Sequence, residues 1–251
     1  MFAPLFERAR IPSDRAILVH ARLRGAREHS GEQYRKLADE LLLCLLALRP
    51  SLLLIPAYTI YGYMAMRIFH SEYAHSEVGR FSEEMRRRGY RRTPDPMYSV
   101  LDVLGALPPG LDFSRTFGPG TLFDHLEGQP SVVINVDIPG FYATPVHGIE
   151  LHHEVPYRFL VDLPGRLQAG GEPWRDISYQ AYVRKVSPYG TGSYPHYNYP
   201  RRSDYLRRQG VIHEFAGDGG NLAWADLGEF GHAINDALAK DPWFLVHKPE
   251  N

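Results

Sequence analysis

The residues with the greatest capacity for chemistry lie between Thr144 and Arg158, in TPVHGIELHHEVPYR. Thr144-Pro145 reads as a helix start, with Thr144 as N-cap and Pro145 at the first helical position, where a missing N–H costs nothing. Successive helical residues turn by about 100°, so His147, Glu150 and Glu154 share one face and His152 falls away from it. An imidazole beside a carboxylate one turn on is an arrangement for proton transfer. Two other readings stay open on spacing alone. One is a solvated surface helix rich in His and Glu. The other is a metal site, since Glu150 and His153 form a Glu-x-x-His pair, although further ligands would have to come from elsewhere and no HExxH pattern occurs.

This segment must be held by a framework. Val132 to Ile138 is a β-branched run, a buried strand stopped by Pro139 and Gly140. Upstream, 16–20 (AILVH) predicts a strand, 31–48 a helix with Leu37, Leu41, Leu45 and Leu48 on one stripe, and 52–56 (LLLIP) a second strand. That is the outline of a βαβ unit. Tyr58 to Tyr73 reads as an aromatic loop over the strand ends, and Ser76 to Arg88 as a helix capped by Ser76. Downstream, 178–186 alternates like a strand, 188–200 reads as a Tyr-, Gly- and Pro-rich loop over the site, and 226–238 has a helical pattern.

The 251 residues can bury a substantial core, with 23% charged and 44% hydrophobic residues and a net charge of -1. A nearly neutral chain has no global pull toward nucleic acid or anionic membrane. Its single cysteine, Cys44, sits in the apolar run LLLCLLAL, so neither a disulfide framework nor a multi-cysteine zinc site is available. The first residues lack a secretory core segment and no stretch is long and apolar enough to span a bilayer, so a cytoplasmic protein is expected. Neither GK[ST] nor GxGxxG is present at a strand–helix junction.

In this order the elements resemble the aminoglycoside 3-N-acetyltransferase family, the antibiotic acetyltransferases distinct in fold from the GNAT enzymes. The matching stretches are LVHARL, LLLIPAYT, HSEVGRFSEEMRR, RRTPDPMYSVLDVLGAL, FGPGTLFDHL and TPVHGIELHHEVPYR, with a weaker match in GGNLAWADLGEFGHAI. The most specific part is T-x-x-H-x-x-E followed by V-P-x-R. The resemblance implies an α/β fold, a mixed central sheet with helices on both faces, in one domain over 1–251. It implies an acetyl-CoA-dependent N-acetyltransferase with acetyl-CoA as co-substrate and no metal. His147 and Glu150 are then the catalytic pair, with Thr144 beside them. His20, Ala21, Arg22 and Ser99 are expected to bind the cofactor, and Asp95, Tyr58, Glu72 and Glu154 the acceptor. Partners are an acyl-CoA and a small-molecule amine, with no nucleic acid and no membrane; a homodimer is compatible with the pattern.

Two positions depart from the family pattern. Asp95 stands where the family usually has histidine, which bears on acceptor recognition. Ala21 stands where it usually has serine, which bears on CoA binding. A non-catalytic acyl-CoA- or sugar-binding homologue therefore stays open as the alternative. The loops around 58–73 and 188–200 are rich in tyrosine, which suits sugar faces, and poor in acids. Arg86 to Arg92, Arg201 and Arg202 favour phosphates on CoA or on a nucleotide-linked sugar. The expected acceptor is an amino sugar of polysaccharide or natural-product biosynthesis rather than a polycationic drug.

Overall fold

The computed structural model describes residues 1–31, 33–185, 195–217 and 220–248. The chain opens with helix α1 (Ala3–Ala9) and strand β1 (Ala16–Ala21), then crosses through α2 (Arg24–Ser30) and α3 (Tyr34–Ala47) to β2 (Leu52–Pro56). After α4 (Ile60–Met66), β3 (Ile68–His70) and α5 (Arg80–Arg87) come β4 (Arg91–Arg92) and β5 (Val100–Asp102). Helix α6 (Leu122–Glu127) leads into β6 (Ser131–Val136), α7 (Val146–His152), β7 (Arg158–Gln168) and β8 (Arg175–Arg184). The last elements are α8 (Tyr199–Arg208), β9 (His213–Gly217), β10 (Gly220–Asp226) and α9 (Leu227–Lys240).

The large sheet has the order β4-β5-β2-β1-β6-β10-β9. Its centre is parallel: Ile17 pairs with Leu53 on one side and Val132 on the other. Strands covered on both faces read as continuous apolar runs, which is why AILVHA, LLLIP and SVVINV are legible as strands. The outer pairs β5–β2, β4–β5, β10–β6 and β9–β10 are antiparallel, so the sheet is mixed.

The period of two along each strand divides the interior into two cores. Ala16, Leu18, Leu54, Val133 and Ala225 face one way, against Phe123 of α6, Ile149 of α7 and Phe230 of α9. Ile17, Val19, Leu53, Ile134 and Trp224 face the other way, against Leu5 of α1, Leu41 of α3 and Phe81 of α5. Helices thus cover both faces, the α/β architecture the sequence predicts. Helix α9 shows the local cause clearly. Asp226 accepts hydrogen bonds from Gly228 N and Glu229 N at 2.9 and 3.2 Å, and Leu227, Phe230, Ala233, Ile234, Ala237 and Leu238 form the buried stripe.

A second, three-stranded sheet has the order β3-β7-β8. It reaches α4 through Gly165, where a Cβ would lie 2.5 Å from Tyr63 Oη and 2.6 Å from Arg67 O. Backbone cannot retreat from backbone there, since Arg166 N donates to Arg67 O at 2.8 Å. Gly165→Ala should therefore destabilise the protein by about 1–3 kcal/mol, the usual cost of overpacking. Thermal unfolding of the variant would measure it, and an unchanged midpoint would show that α4 moves freely away from β7 here.

Several local expectations are corrected. Residues 58–73 are not a loop: they contain α4 and β3. The reason is distant in sequence, because the Glu77 carboxylate accepts from Tyr61 N and Gly62 N at 2.9 and 2.7 Å and closes the start of α4. The helix expected from Ser76 begins at Arg80, after Gly79 at φ 118°, and Ser76 does not cap it. Strand β6 stops at Val136 rather than Ile138, because Asp137 turns into the left-handed region at φ 55°. The loop expected over 188–200 falls partly outside the described residues, and its end, from Tyr199, is the start of α8.

Candidate active site

The connection from β6 to α7 is fastened before the helix begins. Asn135, in β6, donates from Nδ2 to Tyr142 O at 2.9 Å and accepts from Tyr142 N at 2.8 Å. Helix α7 then starts behind Pro145 with no side-chain cap. Thr144 is not the N-cap expected from sequence: its hydroxyl accepts from the buried Tyr58 hydroxyl at 2.8 Å, a tie between two loops.

On α7 the three-residue spacing does what it predicts. His147 Nδ1 and Glu150 Oε2 are 2.7 Å apart. Glu150 is fully buried, and its other oxygen accepts from Tyr157 Oη at 2.9 Å. The Arg158 Nε lies 2.7 Å from Oε2 as an ion pair, while its Nη1 donates to Tyr182 O at 3.0 Å. Tyr157 and Arg158 come from the VPYR segment, whose function is thereby visible: it returns the chain from α7 into β7 and closes around Glu150. An arginine nitrogen also approaches His147 Nδ1, at 3.1 Å. Arginine has only donors, so both contacts cannot be hydrogen bonds to one nitrogen. The shorter pairing, of an N–H with a carboxylate, places the proton on Nδ1 and leaves the lone pair on Nε2.

The imidazole packs edge-on to Phe117 with ring centroids 5.6 Å apart and lies near-parallel to Tyr197 at 6.1 Å. Burial, reinforced by the charge of Arg158, pushes its pKa down to about 4 against the pull of Glu150. Burial alone would raise Glu150, but Arg158 and His147 outweigh it and hold the carboxyl below its ordinary range. At neutral pH the site therefore contains a neutral imidazole, an ionised carboxylate and a guanidinium.

His147 opens onto a cavity of about 490 Å³ that is also lined by His20, Ala21, Arg22, Tyr58 and Thr144. His20 sits near the end of β1 with Nε2 buried and without a hydrogen-bond partner among the described residues, and burial lowers its pKa to about 4. A neighbouring cavity of about 620 Å³ shares Arg22 and Gly79 with the first and adds Arg24, Arg27 and Arg80.

Four expected site residues lie elsewhere. Ser99 is fully buried, donating to Ala57 O and accepting from Arg92 Nε, both at 2.9 Å, so it holds an internal arginine rather than a cofactor. Asp95 accepts from Met97 N, Tyr98 N, Thr116 Oγ1 and Tyr179 Oη at 2.7–3.1 Å. Its oxygens are spent on tying the 93–99 segment to β8, and it does not line the His147 cavity. Glu72 lines a different hollow, with Arg86, Arg87 and Arg91. Glu154 is exposed beyond the end of α7 at φ 47°, so the helical face it was expected to share has already ended. His153 bonds Asn235 at 2.9 Å, and among the described residues no three His, Cys, Asp or Glu side chains converge as a metal set. Conversely, Tyr142, Tyr197, Tyr199 and Arg202 line the cavity. The tyrosine-rich composition around 188–200 was the only sequence signal for two of them.

No family model and no curated relative matches the chain. Solved structures do. The fold is that of the aminoglycoside acetyltransferases. AAC(3)-IVa matches with a TM-score of 0.69 at 15% identity, over 98% of this chain and 91% of that one. AAC(3)-Xa matches with a TM-score of 0.69 at 16% identity, over 96% and 93% of the two chains. AAC-IIIb, solved as a binary complex with CoASH, matches with a TM-score of 0.65 at 14% identity, over 98% and 96%.

Proposed function

We propose that this chain is an acetyltransferase that moves an acetyl group from acetyl-CoA to the amine of an amino sugar, with His147 as general base. The observation that carries this reading is the buried array His147–Glu150–Arg158 at the wall of a cavity large enough for a small substrate. Bound acetyl-CoA supplies an activated acyl carbon, and transfer forms one amide bond, breaks one thioester C–S bond and passes one amine proton to the leaving thiolate.

The residues here perform the proton steps. His147 Nε2, its lone pair free, accepts the proton from the attacking nitrogen and returns it to the departing sulfur. Glu150 holds the required tautomer through Nδ1 and stabilises the imidazolium while it exists, the part played by the acid of a catalytic triad. Tyr157 and Arg158 keep that carboxylate ionised and fixed. The unpartnered His20 Nε2 offers a polar contact to a ligand in the cavity, and the arginine-lined hollow beyond Arg22 suits the phosphates of CoA. The likeness in fold to a CoASH-bound acetyltransferase supports the same donor. Tyr142, Tyr197 and Tyr199 provide ring faces and hydroxyls for a sugar. Acetyl-CoA as the donor supports a cytoplasmic reaction, and no described helix is long and apolar enough to cross a membrane.

A thiol-release screen with acetyl-CoA tests this directly, against aminoglycosides, free amino sugars and nucleotide-linked amino sugars. Acceptor-dependent release that disappears in His147→Ala is expected. Release no faster than thioester hydrolysis across the whole panel would overturn the reading.

A further inference from the structure

The charge of the acceptor is written into the cavity wall. Arg202, in the first turn of α8, is 5% exposed and lines the cavity that contains His147. It donates to Phe141 O, and its guanidinium lies over the Tyr199 ring, 5.1 Å from the centroid. Its Nε is buried without a hydrogen-bond partner among the described residues, and none of their carboxylates pairs with it. Its neighbour Arg201 differs, since it points outward to Asp241 at 2.9 Å. A guanidinium removed from water without a counter-ion is costly unless an anion arrives to meet it.

The rest of the wall agrees. Among the described lining residues the only carboxylate is Glu77, whose two oxygens are occupied by Tyr61 N and Gly62 N. Glu150, behind His147, is occupied by Arg158, Tyr157 and the imidazole. A polyammonium ligand therefore finds no free acid among the described lining residues, whereas an oxyanion finds an arginine. Aromatic rings connect that arginine to the base: Tyr199 lies 5.5 Å from Tyr197, and Tyr197 lies 6.1 Å from His147.

We infer that Arg202 forms an oxyanion subsite for the acceptor, so that the natural acceptor is an amine carrying a carboxylate or a phosphate rather than a polycation. The inference rests on the acetyl-transfer reading for the word acceptor, but the subsite itself is a matter of binding and is tested as such. Dissociation constants would be measured with CoA present, at one low ionic strength, for glucosamine, its phosphate monoester, its uronic acid and an aminoglycoside. Charge-assisted bonds to a buried arginine predict that the phosphate or the uronic acid binds at least about tenfold more tightly than glucosamine, and more tightly than the aminoglycoside. Whichever of the two gains identifies the anion. In Arg202→Gln the advantage should vanish, in Arg202→Lys it should partly return, and the dissociation constant of CoA should move less than about twofold.

The wild-type comparison needs no variant to fold. Equal binding of all the sugars, or tighter binding of the aminoglycoside, would overturn the subsite. So would a loss in Arg202→Gln that falls on CoA, because the anion would then belong to the donor. If acid-bearing sugars bind through Arg202 but release no thiol with acetyl-CoA, the subsite stands and the acetyl-transfer reading falls.

Discussion

His147→Ala is expected to lower turnover by roughly 10²–10⁴-fold, the span typical of a positioned general base, with CoA affinity unchanged within about twofold. The separation follows from the geometry. The imidazole lines one cavity and is held by Glu150 at Nδ1, 2.7 Å away, while the arginine-lined hollow lies beyond Arg22. The pH dependence gives an independent check. Burial and Arg158 push the His147 pKa down to about 4, below the ordinary 6.5. The base is then fully neutral above about pH 5 and is lost only as pH falls through 4. A profile of kcat/KM should show no enzyme break near 6.5, and any rise with pH above that should follow the acceptor amine. Because Arg158 is one of the causes that lower the value, Arg158→Met should move the acid limb upward. A wild-type acid limb at 6.5 would show an imidazole exposed to water, which the packing against Phe117 and Tyr197 does not allow. Wild-type turnover in the alanine variant, on a confirmed acceptor, would remove His147 from the reaction.

What could be read from sequence divides along physical lines. The central strands were legible because parallel strands buried on both faces need unbroken apolar runs, and few other structures do. The pairing of His147 with Glu150 was legible because a three-residue spacing on a helix brings side chains together whatever surrounds them. Contacts made across the chain were not. The start of α4 depends on Glu77, and no local pattern announces a cap that comes from more than a dozen residues downstream. Thr144 followed by proline has the composition of an N-cap, yet its hydroxyl is taken by Tyr58 from another loop. Asp95 drew attention as a replacement for histidine and was expected in the acceptor site. Its four donors come from Met97, Tyr98, Thr116 and Tyr179, so the carboxylate is an internal tie. Glu154 failed for a simpler reason: the helical period was extended two residues past the end of α7, onto the residue where the backbone turns left-handed. Arg201 and Arg202 are adjacent and identical in type, and only the fold distinguishes the one paired on the surface from the one buried at the cavity.

Glu150 should show the largest stability effect of any single site residue. Its side chain is fully buried and that of Arg158 is 4% exposed, with 2.7 Å between them. Removing either partner leaves a charge in the interior with no counter-ion, and such half-pairs cost about 3–5 kcal/mol. Glu150→Gln and Arg158→Met should each lower the chemical-denaturation midpoint at neutral pH by that order. The double variant should lose clearly less than the sum, because it leaves no charge behind. Acid should act in the same direction on the wild type. Below pH 6.5 the unfolded chain takes up protons that the buried His20 and His147 refuse until about 4, so stability falls across that window. Glu150, held below its ordinary range, adds to the loss at still lower pH. Strictly additive single variants would mean that water reaches the pair and that the array is not a closed one. Activity and stability should then part company in the double variant. Its folding is largely restored and the amide oxygen can still accept the Nδ1 proton, but the negative charge that stabilises the imidazolium is gone, so turnover should remain low. A double variant that regained turnover together with stability would show that the negative charge beneath His147 contributes nothing to its work as a base.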